Sequence, residues 1–199
     1  MTTKLISKPK KKPLPRSKKL TRENWIAASR GALTEGGIEA VKVDLIARKL
    51  GVTRGGFYWH FTDRADLLRG LLQHWEDVNT EPLLKAIKAA GVRGVKEDFD
   101  PTVGRLLMEE KEFSPAFDSA VRSWAQSDRL VQEAVHRVDG RRISAFQSMF
   151  EKYGFEGDVA LVRARIIYFH QIGYYALAIK ETLEQRRQLM HLYDEILIY

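Results

Sequence analysis

Within the eight residues Thr53–His60 the chain places a guanidinium (Arg54), two hydroxyls (Thr53, Tyr58), an indole (Trp59), an imidazole (His60) and two bare backbone positions (Gly55, Gly56). This is chemistry suited to a polyanion. Arg54 can fork onto guanine O6 and N7 or clamp a phosphate. The hydroxyls of Thr53 and Tyr58 suit phosphate oxygens. Gly55 and Gly56 remove side-chain bulk, so the backbone can approach a base edge or a thymine methyl. Arg64, a few residues on, opens another helix, where free backbone N–H groups also favour a phosphate. Taken singly, each residue has a plain structural reading. Two glycines weaken a short surface helix by roughly 1 kcal/mol each, and a Tyr-Trp pair often simply packs. The joint arrangement points to DNA.

Such groups read a duplex only when a hidden face holds them at a fixed angle. Val52, Phe57 and Phe61 recur at five- and four-residue spacing and should point inward. Helical patterning around them completes a helix-turn-helix. A first helix is expected over about Arg22–Glu35, with Thr21 as N-cap and Trp25, Ala28, Ser29, Ala32 and Leu33 on one face. Gly36-Gly37 ends it. A second is expected over Asp44–Leu50, with Leu45, Ile46 and Leu50 making apolar contacts. Gly51 permits the turn, and Thr53 caps a third helix over Arg54–His60. A longer fourth helix follows Thr62-Asp63, carries Leu67, Leu68, Leu71, Leu72, Trp75 and Val78, and breaks near Pro82.

From there every segment reads as helix and no strand alternation is convincing. A long pattern over Asp118–Tyr153 is interrupted near Ser127-Asp128. Asp158 is expected to cap an apolar helix reaching Ile179, and a last helix covers Leu183–Ile198.

Charge divides the 199 residues unevenly. Residues 1–20 hold eight basic side chains and no acid, residues 21–64 carry net +2, and residues 65–199 carry net −3. The Lys- and Pro-rich start buries too little to fold alone. It reads either as a flexible arm lying along phosphates or in a minor groove, or as a solvated tail. There is no cysteine, which excludes disulfides and thiolate metal sites and fits a cytoplasmic protein. The longest nearly uncharged apolar stretch, Ile166–Ile179, is 14 residues, short of the roughly 20 that a spanning helix needs. No membrane partner is expected.

The first 70 or so residues resemble the TetR family of transcriptional regulators. The resemblance rests on Ile46-Ala47, Leu50-Gly51-Val52-Thr53, Gly55, Phe57-Tyr58-Trp59-His60-Phe61, and Arg64 with Leu67-Leu68. It implies an all-α subunit of about nine helices: a three-helix DNA-binding domain over residues 21–66 behind an arm at 1–20, and a larger effector-binding and dimerisation domain over 67–199. It implies a homodimer on double-stranded DNA with a palindromic operator, usually as a repressor released by a small molecule. By the same mapping, Arg54–His60 form the groove-reading helix and Arg64 the phosphate-contacting residue. Two positions depart from the family pattern. Lys42 stands where relatives have a capping Thr or Ser, so it forfeits the cap and gains a possible phosphate contact. Gly56 stands where a Ser or Thr is common, removing one hydroxyl.

Beyond about residue 80 the resemblance fades. Trp75, Met108, Phe113, Phe117, Arg122, Trp124, Phe146 and Phe150, with His170, are candidates to line an effector pocket. Arg122 and His170 are the polar groups on otherwise apolar faces. Each also has a structural reading: the aromatics as core, Arg122 in an ion pair, His170 in a satisfied hydrogen bond. For dimerisation the candidates are Phe169, Gly173, Ala176 and Leu177 on the penultimate helix, and Leu189, Leu192, Tyr193 and Ile196 on the last. In the family these two helices usually form a four-helix bundle with their twofold mates.

Two other classes stay open. A sequence-tolerant DNA-packaging protein would suit the basic start. An enzyme is disfavoured, because the five histidines are scattered and no metal-ligand spacing, nucleophile elbow, phosphate loop or dinucleotide fingerprint occurs. No cofactor or metal is expected. Asp98, Asp100, Glu109 and Glu110 read as solvated acids.

Overall fold

The computed structural model describes residues 20–89 and 113–198. The basic arm, Met108, Asp98, Asp100, Glu109 and Glu110 lie outside the described residues.

Helix α1, Arg22–Gly36, starts where Thr21 N donates to Asn24 Oδ1 at 2.9 Å. It buries Trp25, Ile26, Ser29 and Leu33 and stops at Gly37, whose φ of 70° suits a residue without Cβ. A 3-10 turn, Ile38–Ala40, leads into α2, Val43–Lys49. Lys42 occupies the N-cap position of α2 and makes no side-chain cap bond, as its chemistry requires. Gly51, at φ 69°, turns the chain, and Val52 N closes the turn onto Ala47 O at 3.0 Å. The candidate reading helix follows at Arg54–Trp59.

Helix α3, Arg64–Asn79, is capped by Asp63, whose Oδ1 accepts from Asp66 N at 2.7 Å. It ends at Thr80, and α4, Glu81–Ala89, carries Pro82 in its first turn, where a missing N–H costs nothing. Ser114 caps α5, Pro115–Ala125. Asp128 caps α6, Arg129–Lys152, which accounts for the interruption expected at Ser127-Asp128. Gly154 closes α6 at φ 92°. Helix α7 spans Gly157–Ala176 and α8 spans Leu183–Ile198. The expectations for α7 need correcting at both ends. Glu156, not Asp158, holds its N-cap position. Its C-terminus falls before Ile179, because Ala178 takes φ 50°.

Among the described residues these eight helices and two 3-10 segments are joined by loops, with no strand, so the subunit is all-α. None of the helices is long and apolar enough to cross a membrane.

Two apolar cores hold the bundle. The first joins Trp25, Leu33, Ile46, Phe57, Phe61, Leu67, Leu71 and Trp75 to Phe117, Val121, Trp124, Val131 and Val138. It runs without a gap from α1 into α6, so the helix-turn-helix shares its interior with the body. The second packs Leu83 and Ile87 against Phe146, Met149, Phe150, Tyr153, Ala160, Ala164 and Ile167. Leu45, expected to pack, is 43% exposed; α2 buries Ile46 and Ala47 instead.

Candidate nucleic-acid interface and the polar network behind it

The reading helix winds as a 3-10 segment and not as the α-helix its sequence suggests. Gly56 N donates to Thr53 O at 3.0 Å and His60 N to Phe57 O at 2.9 Å, both three-residue bonds. Gly55 and Gly56 contribute no side-chain packing to favour the wider winding. A Cβ at Gly56 would meet nothing within 4 Å, so the glycine leaves open space on that side. Thr53 sits at the N-cap position without a side-chain cap bond, contrary to the capping role expected of it.

Phe57 is the wedge. It is fully buried, edge-on to Trp25 at 5.4 Å and stacked on Phe61 at 5.2 Å. These contacts fix the helix from beneath and turn the next residues outward. Trp59 is 87% exposed and Tyr58 54%, which is unusual for rings this large. Arg54 is exposed and donates to Tyr58 Oη at 3.3 Å. That bond, with Asp44 at 3.6 Å, raises its already high pKa, so it stays cationic. Lys42, Thr53 and Gly55 are exposed too, while Gly56 and His60 are half-buried. Thr53, Arg54, Gly55, Tyr58 and Trp59 therefore form one exposed stretch of polar and aromatic groups.

Arg64, expected to contact a phosphate, is exposed and also holds two backbone carbonyls. Its Nε donates to Val41 O at 2.8 Å and a terminal nitrogen to Ile38 O at 3.1 Å. The guanidinium thus staples the start of α3 to the link between α1 and α2. Arg22 makes a second clamp: it lies over the Phe61 ring at 4.6 Å and pairs with Asp66 at 3.4 Å.

The expected pocket residues are mostly core. Trp75, Phe117 and Trp124 are packed in the first core and Phe146 and Phe150 in the second. Of the candidates, Phe113 and Arg122 do border a cavity of about 50 Å³, with Pro115, Asp118, Ser119, Ile172, Tyr175 and Ala176. His170 lies between α7 and α8 with its Nε2 3.0 Å from Tyr193 Oη. Burial, then the charge of Arg186, lower its pKa and favour the neutral ring.

Beside that cavity lies a network that includes residues not singled out from sequence. Arg142 is 1% exposed. It donates to Asp118 Oδ1 at 3.1 Å, to Thr80 Oγ1 at 2.9 Å, to Asn79 O at 3.3 Å and to Tyr168 Oη at 3.3 Å. Asp118 also accepts from Trp75 Nε1 at 3.0 Å and from Arg122 Nε at 2.8 Å. Arg122 forks onto Asp139 at 2.6 and 3.0 Å, and Tyr168 donates to the same carboxylate at 2.6 Å. Two cations meet two anions, so the cluster is neutral and its members satisfy one another. Burial pushes the Asp118 carboxyl up, but Arg142 and Arg122 outweigh it and hold it below the usual value. Burial likewise pushes the Tyr168 phenol up to about 12. A sequence signal existed: Arg142 occupies the stripe Val131, Val135, Val138, Arg142, Phe146, Met149, where every other member is apolar.

A short helix wedged in by aromatics, its outer face polar and bare, at the end of an all-helical body defines a helix-turn-helix protein. Residues 26–71 match the family described as bacterial regulatory proteins, tetR family. The uncharacterized HTH-type transcriptional regulator TtgW of Pseudomonas putida is 41% identical over 104 residues, covering 48% of this chain and 71% of that protein. SrpR, an HTH-type transcriptional regulator of Pseudomonas putida, is 40% identical over 102 residues, covering 47% of this chain and 44% of its own length. In fold, the chain is similar to reduced E. coli NemR, with a TM-score of 0.67 at 15% identity over 88% of this chain and 96% of that one. The chain belongs to the TetR family of transcriptional regulators, and is a DNA-binding regulator and not an enzyme.

Proposed function

We propose that this regulator acts as a homodimer on a palindromic operator and represses transcription until a small molecule releases it. The observation that carries the reading is the exposed Thr53–Trp59 surface over the buried Phe57–Phe61 wedge. Arg54 reads a base edge, Tyr58, Thr53 and Lys42 meet phosphates, and Trp59 and His60 border the groove. The glycines let backbone close in. Arg64 supports this surface by holding α3.

Dimerisation is supported by apolar surface that one subunit leaves open. Val159, Val162, Ile166, Phe169 and Leu177 form an exposed stripe along α7 at helical spacing, opposite the buried Ala160, Ala164 and Ile167. Leu189, Leu192, Tyr193 and Ile196 are exposed on α8. A Cβ at Gly173 would meet nothing within 4 Å, which leaves room for a mate to approach closely. A twofold axis here gives two reading helices, suited to half-sites about 34 Å apart.

The effector binds at the cavity between α5 and α7, where Phe113 and Tyr175 supply apolar walls and Asp118 and Arg122 a polar floor. At about 50 Å³ the cavity holds little more than water. An effector therefore selects a more open conformer, and release from DNA is the population shift that follows. Footprinting of purified protein on DNA from its own genome tests the reading. Protection of an inverted repeat at physiological salt is the expected result. Equal binding to random DNA would refute it.

A further inference from the structure

We propose that Arg142 is a positioning residue for DNA reading: without touching DNA, it fixes the attitude at which α3 leaves the body, and with it the spacing between the two reading helices of the dimer. The inference rests on the dimeric, palindrome-reading function proposed above.

Helix α3 is the rod that joins the reading head to the body. Its first turn is bound to the reading head through Arg64 on Val41 O and Ile38 O and through Asp66 on Arg22. Its last turn is bound to the body by a separate set of bonds. Trp75 Nε1 donates to Asp118, and Asn79 exchanges two hydrogen bonds with the Ser114 backbone, at 2.9 and 3.2 Å. Arg142 reaches from α6 to both Asn79 O and Thr80 Oγ1, at the corner where α3 ends and α4 begins. Its guanidinium also lies 5.5 Å from the centre of the Trp75 ring.

One planar cation therefore ties the α3–α4 corner to α5 through Asp118 and to α7 through Tyr168. The geometry has leverage. A 16-residue helix is about 24 Å long, so a tilt of about 5° at one end moves the other by about 2 Å. That is large against hydrogen-bond tolerance at a base edge. The same cluster floors the cavity through Asp118 and Arg122, which places the corner's support next to the proposed effector site.

The test is a spacing profile. Duplexes selected from a random pool by the full chain are rebuilt with one or two base pairs added or removed between half-sites, and Kd is measured for each. Arg142→Lys keeps the charge beside Asp118 but loses the planar fork across the corner. Asp118→Asn with Arg142→Met removes both charges together and leaves Arg122 with Asp139, which guards against unfolding from a stranded carboxylate. Circular dichroism and sedimentation confirm folded dimers. The expected result is a flattened or shifted profile: at least tenfold weaker binding at the wild-type optimum, and under threefold loss at neighbouring spacings. A merely structural role weakens every spacing alike, so a uniform loss, or an unchanged profile in a folded variant, overturns the inference. A wild-type protein with no optimum refutes the function itself, and this inference with it.

Discussion

At the residue scale, Arg54 and Arg64 show how one residue type does two jobs. Arg64 donates to two carbonyls, whereas among the described residues Arg54 is held by a phenol and a 3.6 Å contact with Asp44. Arg54→Ala is therefore expected to weaken a selected site about tenfold or more, and random DNA less, in parallel titrations. Asp44→Asn should do the opposite. Losing an anion beside Arg54 should strengthen DNA binding by about two- to threefold at low salt, and the gain should shrink as salt rises. The neutral network gives two pH signatures. Asp118 has a lowered carboxyl pKa in the fold, so its contribution is present above the unfolded value of about 3.9 and is lost as pH falls below that value through the lower folded one. Tyr168 is raised to about 12, so between about pH 10 and 12 the unfolded phenol ionises while the folded one keeps its proton. Folding then takes up a proton, and stability falls as pH rises. Denaturant midpoints measured across both ranges check the two signs, and Tyr168→Phe should abolish its share of the alkaline loss.

At the element scale, the reading helix depends on what lies beneath it. Phe57→Ala removes the wedge between Trp25 and Phe61 and is expected to cost about 3–5 kcal/mol in chemical denaturation. Helix periodicity, caps and breakers were legible in the sequence: α1, α3, α6 and α8 begin and end within a few residues of where Thr21, Asp63, Asp128 and Leu183 put them. The inward Phe57 and Phe61 and outward Tyr58 and Trp59 were legible too, because alternation of packing and polar faces is a local property. What was not legible depends on tertiary partners. Aromatic spacing cannot tell a packed core from a cavity wall; Trp75, Phe117, Trp124, Phe146 and Phe150, candidate pocket liners by that spacing, are buried members of the two cores. Arg142 was overlooked because its four partners come from distant segments, although its place on an apolar stripe marked it. Leu45 is partly exposed, since the buried face of α2 is carried by Ile46 and Ala47. The exposed stripe on α7 makes its own test: Phe169→Asp should shift sedimentation toward monomer and leave helix content unchanged.

At the scale of the whole molecule, a shared core and a neutral polar network join a reading surface at one end to an unburied apolar face on α7 and α8. Each is of limited use alone. One reading helix contacts too few base pairs to be selective, and a dimer face with nothing to orient has no regulatory value. In the proposed dimer, symmetry joins the two and α3 sets the geometry between them. If the basic residues 1–20 lie along phosphates, deleting them lowers affinity for all duplexes alike and reduces the salt slope, whereas a solvated tail leaves both unchanged. The most direct measurement is selection from a random duplex pool by the intact chain near physiological salt, with the mass of the winning complex determined by sedimentation. Enrichment of an inverted repeat, with half-site centres about 34 Å apart and two chains per duplex, is the expected result. A pool that stays random, or a single chain on an asymmetric site, would contradict the proposal that two wedged helices read DNA together.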